Sequence, residues 1–91
     1  MIEIAFSSSF KRALKKRIQG QSYLEEKFWH RVEIFMNDPF DNSLKTHKLS
    51  GRLKELWSFS VDYDNRVIFY FANVQKNKVV FVDIGKHDVV Y

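Results

Sequence analysis

Three segments in the second half of the chain decide the fold: LWSFSV at 56–61, RVIFYF at 66–71 and KVVFVDI at 78–84. In the first segment, large apolar residues at the odd-numbered positions alternate with serines, which predicts a half-buried strand. The second segment is almost continuously apolar, as expected of a central strand that is covered on both faces. The third is again rich in β-branched and aromatic residues, so the sequence predicts three neighbouring strands.

The connections between these segments are short and polar. DYDN at 62–65 and NVQKN at 73–77 have turn composition, and we expect Asp and Asn in the first turn to adopt positive φ. Gly85 is expected to end the last strand. Because each connection is short, the three strands should pair as an antiparallel meander.

The first half of the chain predicts one strand and two helices. IEIAF at 2–6 alternates apolar and other residues, as a short strand does. Apolar residues at every fourth position predict a helix from about residue 8 to 19, which Gly20 ends. SYLE at 22–25 has the spacing of a capping box and marks a second helix, which NDP at 37–39 ends. The connection of about two residues predicts an antiparallel helical hairpin.

Residues 40–55 form a loop-like connection in this interpretation, and a connection of that length is more often functional than idle. The element order is then β-α-α-β-β-β. It predicts an α+β fold with both helices on one face of one mainly antiparallel sheet. The 91 residues are enough for one compact domain, which we expect to span residues 1–91.

Composition restricts the function. There are no cysteines, which excludes disulfides, thiolate metal sites and cysteine nucleophiles, and favours a cytoplasmic location. No apolar run approaches the ~18 residues that span a membrane. The N-terminal segment MIEIAF is too short and too acidic for a signal peptide. The 15 basic residues against 11 acidic ones give a net charge of +4, compatible with a nucleic acid or an acidic protein partner.

The remaining residue types suit one reaction, the cleavage of RNA without a metal or cofactor. Phosphate-binding glycine loops, zinc-binding histidine pairs and the glycine-flanked serine of hydrolases are all missing from the sequence. In metal-free RNA cleavage the ribose 2′-OH is the nucleophile, and the protein supplies a base, an acid and cations for the charged phosphorane. Histidine serves as acid or base, arginine and lysine bind phosphate, and aromatic rings stack on bases.

Residues of these types lie at strand ends and in the preceding loop. Arg66 begins one strand, and His87 and Tyr91 follow the end of another. If residues 66–71 pair with 79–84, Arg66 meets the end of the last strand. The loop adds His47, Lys48, Arg52 and Lys54, and the last strand is followed by Lys86.

Each candidate also has a purely structural explanation. Arg66 could form an ion pair with Asp62 or Asp64, and Asp64 could serve only the turn. His87 could be an exposed tail residue, and the ring of Tyr91 could pack on the core. The basic residues of the first helix could form a solvated face or a surface that meets phosphates.

The sequence resembles the RelE/ParE superfamily of type II toxins, and especially the RelE, YoeB and YafQ group of mRNA interferases. The best-matching segments are LSG at 49–51, the strand pair 57–70 with Arg66, and IGKH at 84–87 with Tyr91. The resemblance implies cleavage of mRNA on the ribosome, in the A site of its 30S subunit. It also implies a cognate antitoxin as partner.

The resemblance also implies roles for individual residues. His47 matches a catalytic histidine, and Asp64 stands where the YafQ group has a functional acidic residue. Arg66 matches a phosphate-binding arginine, His87 an acid or phosphate ligand, and Tyr91 a terminal aromatic residue of the site. In this scheme His87 is the preferred general acid, and the base is either His47 or Asp64.

The backbone-binding set is less well matched. Lys48 and Lys54 match RelE-type lysines only loosely, and with Arg52 and Lys86 they complete the predicted RNA-binding residues. Ser60 stands where YafQ-type toxins have a further histidine.

Two other functions remain open. A ParE-like toxin would have the same fold and inhibit DNA gyrase, although such chains commonly lack the combination of Arg66, His87 and Tyr91. An inactive homologue would only bind an antitoxin.

Overall fold

The computed structural model describes residues 1–50 and 55–86. The elements, in chain order, are β1 (Glu3–Phe6), α1 (Ser8–Ile18), α2 (Ser22–Asn37), a 3-10 helix (Asn42–Leu44), β2 (His47–Lys48), β3 (Trp57–Ser60), β4 (Asn65–Phe71) and β5 (Lys78–Lys86). The strands form one five-stranded sheet in the order β1-β5-β4-β3-β2. The predicted α+β architecture is confirmed.

The first helix begins and ends as its sequence predicts. The Oγ atom of Ser7 accepts a hydrogen bond of 3.1 Å from the backbone N–H of Phe10, which satisfies one of the unpaired donors at the helix start. Gly20, just past the C-cap, has φ of +72°. This left-handed conformation is costly for any residue with a Cβ atom, and glycine therefore ends the helix.

The start of the second helix differs from the prediction. Ser22 lies inside α2, the N-cap is Gln21, and no side chain caps the helix there. The predicted capping box is therefore wrong, although the helix itself and its end at Asn37 are confirmed. The extended backbone of Asp38 precedes Pro39 and stops the helix.

The sheet is mixed. β3, β4 and β5 pair antiparallel as predicted, whereas β1 lies parallel to β5 at the edge of the sheet. The region predicted as a loop also contains a 3-10 helix and β2, which pairs antiparallel with β3. β5 continues to Lys86, so the prediction that Gly85 ends the strand is wrong.

A bulge in β5 changes which side chains face the helices. Ile68 lies opposite Asp83, but its neighbour Phe69 lies opposite Phe81, so β5 has one extra residue at this point. The extra residue shifts the alternation, and Ile84 rather than Asp83 reaches the core.

Both helices pack on the same face of the sheet, as predicted. The ring of Phe81 in β5 lies 5.3 Å from the ring of Phe10 in α1 and 5.6 Å from that of Phe35 in α2, measured between centroids. Six phenylalanines are fully buried there, namely Phe10, Phe28, Phe35, Phe59, Phe69 and Phe81. None of the described helices is long and apolar enough to cross a membrane.

Two sequence expectations about β3 and the following turn are wrong. Ser58 and Ser60 are buried, so β3 is covered on both faces rather than half-buried. The described non-glycine residues with positive φ are Lys45 and Lys76, so the turn at 62–65 does not use that conformation. It is held instead by the side chain of Asp62, as described below.

Candidate functional site

Arg66 lies between two strands at one end of the sheet. It pairs with Gly85 of β5 on one side and with Ser60 of β3 on the other. Its Nη1 atom donates a hydrogen bond to the Oγ atom of Ser60. The assumed pairing of 66–71 with 79–84 is therefore confirmed, and Arg66 lies opposite the residue that comes two positions before His87.

His47 lies on the same face of the sheet as Arg66. Directly paired residues of antiparallel strands point to the same face, and so do residues two apart along a strand. His47 pairs with Ser58, and Ser60 pairs with Arg66. Two strand spacings and two residue rises separate the Cα atoms of His47 and Arg66 by roughly 12 Å. The Nδ1 atom of His47 is 3.1 Å from the carbonyl oxygen of Lys45.

Lys48 lies on the opposite face. It pairs with Trp57, one position along from Ser58, and its side chain lines a small pocket with Trp57 and Phe71. The structure therefore does not bring Lys48 together with Arg66.

The turn between β3 and β4 is built around one carboxylate. The Oδ1 atom of Asp62 accepts hydrogen bonds from the backbone N–H of Asp64 at 2.9 Å, the backbone N–H of Asn65 at 2.8 Å and the side-chain amide of Asn65 at 2.9 Å. Burial disfavours the charged carboxylate, but these hydrogen bonds and the nearby Lys27 outweigh it, so the pKa of Asp62 lies below its ordinary value. The turn is consequently fixed by an ionised side chain at neutral pH.

The first helix is tied to this turn. The Nε atom of Arg17 donates a hydrogen bond of 2.6 Å to the Oδ1 atom of Asn65, which is buried. Arg17, one of the basic residues of α1, therefore stabilises the turn that precedes Arg66.

A cleft of about 700 Å³ opens at this end of the sheet, between α2, the 3-10 region and the turn. Among the described residues that line it, five are cationic and two are acidic: Lys27, Arg31, Lys45, Arg66, Lys86, Asp62 and Asp64. The excess of positive charge makes the cleft attractive to phosphate groups.

Three of these cations were not singled out from the sequence. Lys27 and Arg31 are four residues apart on α2 and therefore share a helix face, a signal that the sequence contains. Lys45 follows the 3-10 helix with φ of 52°. Nothing local to Lys45 predicts its position, because the cleft forms only when the 3-10 region packs beside β3.

Arg31 holds the cleft together. Its Nε atom donates to the carbonyl oxygen of Val61 at 3.2 Å, and its Nη1 atom donates to that of Ser43 at 3.4 Å. These bonds join α2 to the end of β3 and to the 3-10 helix, so the guanidinium fixes the walls of the cleft.

The remaining predicted residues divide into two groups. Asp64 is exposed at the turn and lines the cleft, and Lys86 lies opposite Asn65 and lines it from β5. Arg52, Lys54, His87 and Tyr91 lie outside the described residues, and their predicted roles stay predictions. Within 1–50 and 55–86, no three His, Asp or Glu side chains are grouped so that they could hold a metal ion.

Comparison with known proteins identifies the fold. No protein-family model and no curated protein sequence matches the chain. Three solved structures share the fold over nearly the whole chain, each with a TM-score of 0.77. A metal-bound toxin from Helicobacter pylori is 23% identical, with 100% of both chains covered. YafQ from Escherichia coli is 18% identical, with 100% of this chain and 99% of YafQ covered. A YoeB/ParE toxin from Agrobacterium tumefaciens is 14% identical, with 94% of this chain and 99% of that toxin covered. The chain therefore has the fold of these toxins, and the predicted resemblance is confirmed at the level of fold.

Proposed function

We propose that this chain is the toxin of a type II toxin–antitoxin pair and that it cleaves mRNA on the ribosome. The observation that carries the proposal is the position of Arg66, held by Ser60 beside the end of β5 and next to a cationic cleft. The fold shared with YafQ supports the same function. Such a toxin would act in the cytoplasm, where mRNA is translated.

The proposed chemistry uses the ribose 2′-OH as the nucleophile. A base removes its proton, the oxygen attacks the adjacent phosphorus, and the 5′-oxygen leaves with a proton from an acid. The products are a 2′,3′-cyclic phosphate and a free 5′-OH. Arg66 stabilises the phosphorane, because a guanidinium can donate two hydrogen bonds to phosphate oxygens.

His47 is the preferred base in this proposal. It lies on the same sheet face as Arg66, and Asp64, which lines the cleft with Arg66, is the alternative base. His87 is proposed as the acid and Tyr91 as a residue that orients the substrate. Both roles rest on the family resemblance.

An antitoxin is the proposed protein partner. YafQ has been crystallised in the E. coli DinJ–YafQ toxin–antitoxin complex, and that structure shares this fold with a TM-score of 0.75 and 18% identity. By analogy, this chain would be neutralised by an antitoxin protein. Because this chain has an excess of basic residues, we expect the antitoxin to bind it through an acidic segment.

The chemistry can be tested on the cleavage products. Purified chain added to a translating extract should cut the mRNA and leave a 2′,3′-cyclic phosphate on the upstream fragment. Cleavage should persist when the purified chain is treated with EDTA before it is added to the extract, because no proposed step requires a metal held by the protein. Loss of cleavage after this treatment, or a 3′-OH end, would contradict the proposed chemistry.

A gyrase inhibitor is the second candidate, because the A. tumefaciens neighbour is described as a YoeB/ParE toxin. Supercoiling by purified gyrase, measured with the same protein preparation, separates the two functions. Inhibited supercoiling without mRNA cleavage would favour the ParE-like function.

A further inference from the structure

The cleft beside Arg66 contains an aromatic residue that the fold does not use. Tyr63 lies at the tip of the turn, lines the cleft and is 94% exposed. The turn that presents it is held by the three hydrogen bonds to Asp62. A base that stacks on Tyr63 would therefore meet a ring whose backbone is already ordered, which lowers the entropy lost on binding.

Two lysines reach the same cleft from different elements. Lys27 comes from α2, and its ammonium group lies 5.8 Å from the ring centroid of Tyr23 and near Asp62. Lys45 comes from the end of the 3-10 helix, where the Oδ1 atom of Asp41 accepts two hydrogen bonds from Ser43. The backbone of Lys45 adopts a left-handed conformation, which is uncommon for residues other than glycine.

The described lining keeps an excess of positive charge, although Asp62 lies near Lys27. The Oδ1 atom of Asp62 already accepts three hydrogen bonds within the turn, and its charge serves the fold. Asp64 is the other carboxylate among the described lining residues, which include five cations. A flexible strand with one phosphate per nucleotide fits this combination of cations and an exposed ring.

We propose that this cleft is a binding subsite for single-stranded RNA, in which Tyr63 stacks on a base and Lys27 and Lys45 bind the flanking phosphates. The proposal deepens the proposed function and rests on it, because Arg66 at the wall of the cleft would place the subsite next to the scissile phosphate. Arg31 stabilises the wall of the subsite through its hydrogen bonds to the carbonyl oxygens of Val61 and Ser43.

The test uses RNA that cannot be cleaved. A fluorescein-labelled 2′-O-methyl oligonucleotide of about eight nucleotides lacks the 2′-OH nucleophile, so its binding, measured by fluorescence anisotropy, is independent of activity. Tyr63→Ala should weaken binding by about 5- to 100-fold, and Tyr63→Phe should bind as the wild type does. Lys27→Gln and Lys45→Gln should each reduce the slope of log K against log salt by about 0.7.

Lys11→Gln is the matched control. It removes the same charge from α1, where Lys11 lines a separate groove with Phe6 and Trp29. Its affinity and salt slope should equal those of the wild type. The proposal is overturned if the wild-type chain does not bind at low salt, if Tyr63→Ala binds unchanged, or if Lys11→Gln weakens binding as much as Lys27→Gln.

The same measurement separates this proposal from the proposed function. A chain that binds the oligonucleotide in the predicted manner but never cuts mRNA would refute the nuclease and support the subsite. A chain that cuts mRNA but binds the oligonucleotide equally well after Tyr63→Ala would support the nuclease and refute the subsite.

Discussion

Arg66 lies directly opposite Gly85 in the antiparallel pair of β4 and β5, and its guanidinium donates a hydrogen bond to Ser60 of β3. A cation at the edge of a cleft is thus fixed from one neighbouring strand and faces a residue without a side chain on the other. The hydrogen bond to Ser60 orients the guanidinium from the β3 side. The predictions about cleavage below depend on that geometry.

The hydroxyl of Ser60 should matter through Arg66. Ser60→Ala removes a hydrogen bond to a charged group, so the guanidinium loses one constraint and we expect cleavage to slow by roughly tenfold. Ser60→Thr keeps the hydroxyl and should retain most of the rate. Single-turnover cleavage of mRNA in a translating extract measures both variants. Equal rates for Ser60→Ala and the wild type would show that Arg66 does not need this contact.

His47 should contribute more to cleavage than its sequence neighbour. His47→Gln removes the proposed base on the face that carries Arg66, and the rate should fall by about 100-fold or more. Lys48→Gln changes the adjacent residue on the opposite face, and we expect an effect below threefold, within the range of a surface substitution.

Asp64→Asn completes this comparison. If Asp64 were the base, its variant rather than His47→Gln would show the large loss in the same assay. The His47 assignment predicts the opposite order.

Asp62 should make the fold sensitive to acid. Its pKa is lower in the folded state than in the unfolded chain, so its stabilising contribution is complete above the unfolded pKa of about 3.9. The contribution is lost as the pH falls through the lower, folded pKa. Urea unfolding between pH 7 and pH 3 should therefore show the wild type losing stability relative to Asp62→Asn at the acid end.

Asn65→Ala is the control for this pH effect, because it removes the side-chain amide that donates to Asp62. Its pH dependence should be weaker than that of the wild type. Parallel stability curves for the wild type and Asp62→Asn across the whole range would contradict the assignment.

Phe81 should be one of the residues on which folding depends most. Its ring contacts aromatic residues of both helices and of strands β3 and β4, and it is fully buried. Phe81→Ala should lower the free energy of unfolding by about 3–5 kcal/mol. Tyr63→Ala deletes an aromatic ring that is 94% exposed and should change stability by less than about 0.5 kcal/mol. Chemical denaturation of both variants checks this contrast.

The sequence predicts most of the elements because their signals are local. Alternation locates β1 and β3, runs of apolar, β-branched and aromatic residues locate β4 and β5, and the four-residue spacing of apolar residues locates α1. Strand direction is not encoded in alternation, so the parallel pairing of β1 with β5 could not be derived. Two-residue β2 is too short to show any period, and it is a strand only because it pairs with β3.

The site is partly predictable for the same reason. Arg66 meets the end of β5 because two short hairpin strands of similar length must return the chain to that point, even with the bulge before Ile84. The cleft combines Lys27, Lys45 and Tyr63, which are far apart in the sequence. Their proximity depends on how α2 and the 3-10 region pack against the sheet, and no local pattern reports that packing.

The central claim is that Arg66 and the tail that follows β5 form a nuclease site. The most direct test is translation-coupled mRNA cleavage by the wild type, Arg66→Gln and His87→Ala, with Arg12→Gln as a control for the lost charge. We predict cleavage by the wild type and Arg12→Gln, and a loss of about 100-fold or more in Arg66→Gln and His87→Ala, with circular dichroism and thermal unfolding unchanged. Folded Arg66→Gln and His87→Ala variants that cut mRNA at the wild-type rate would contradict the account.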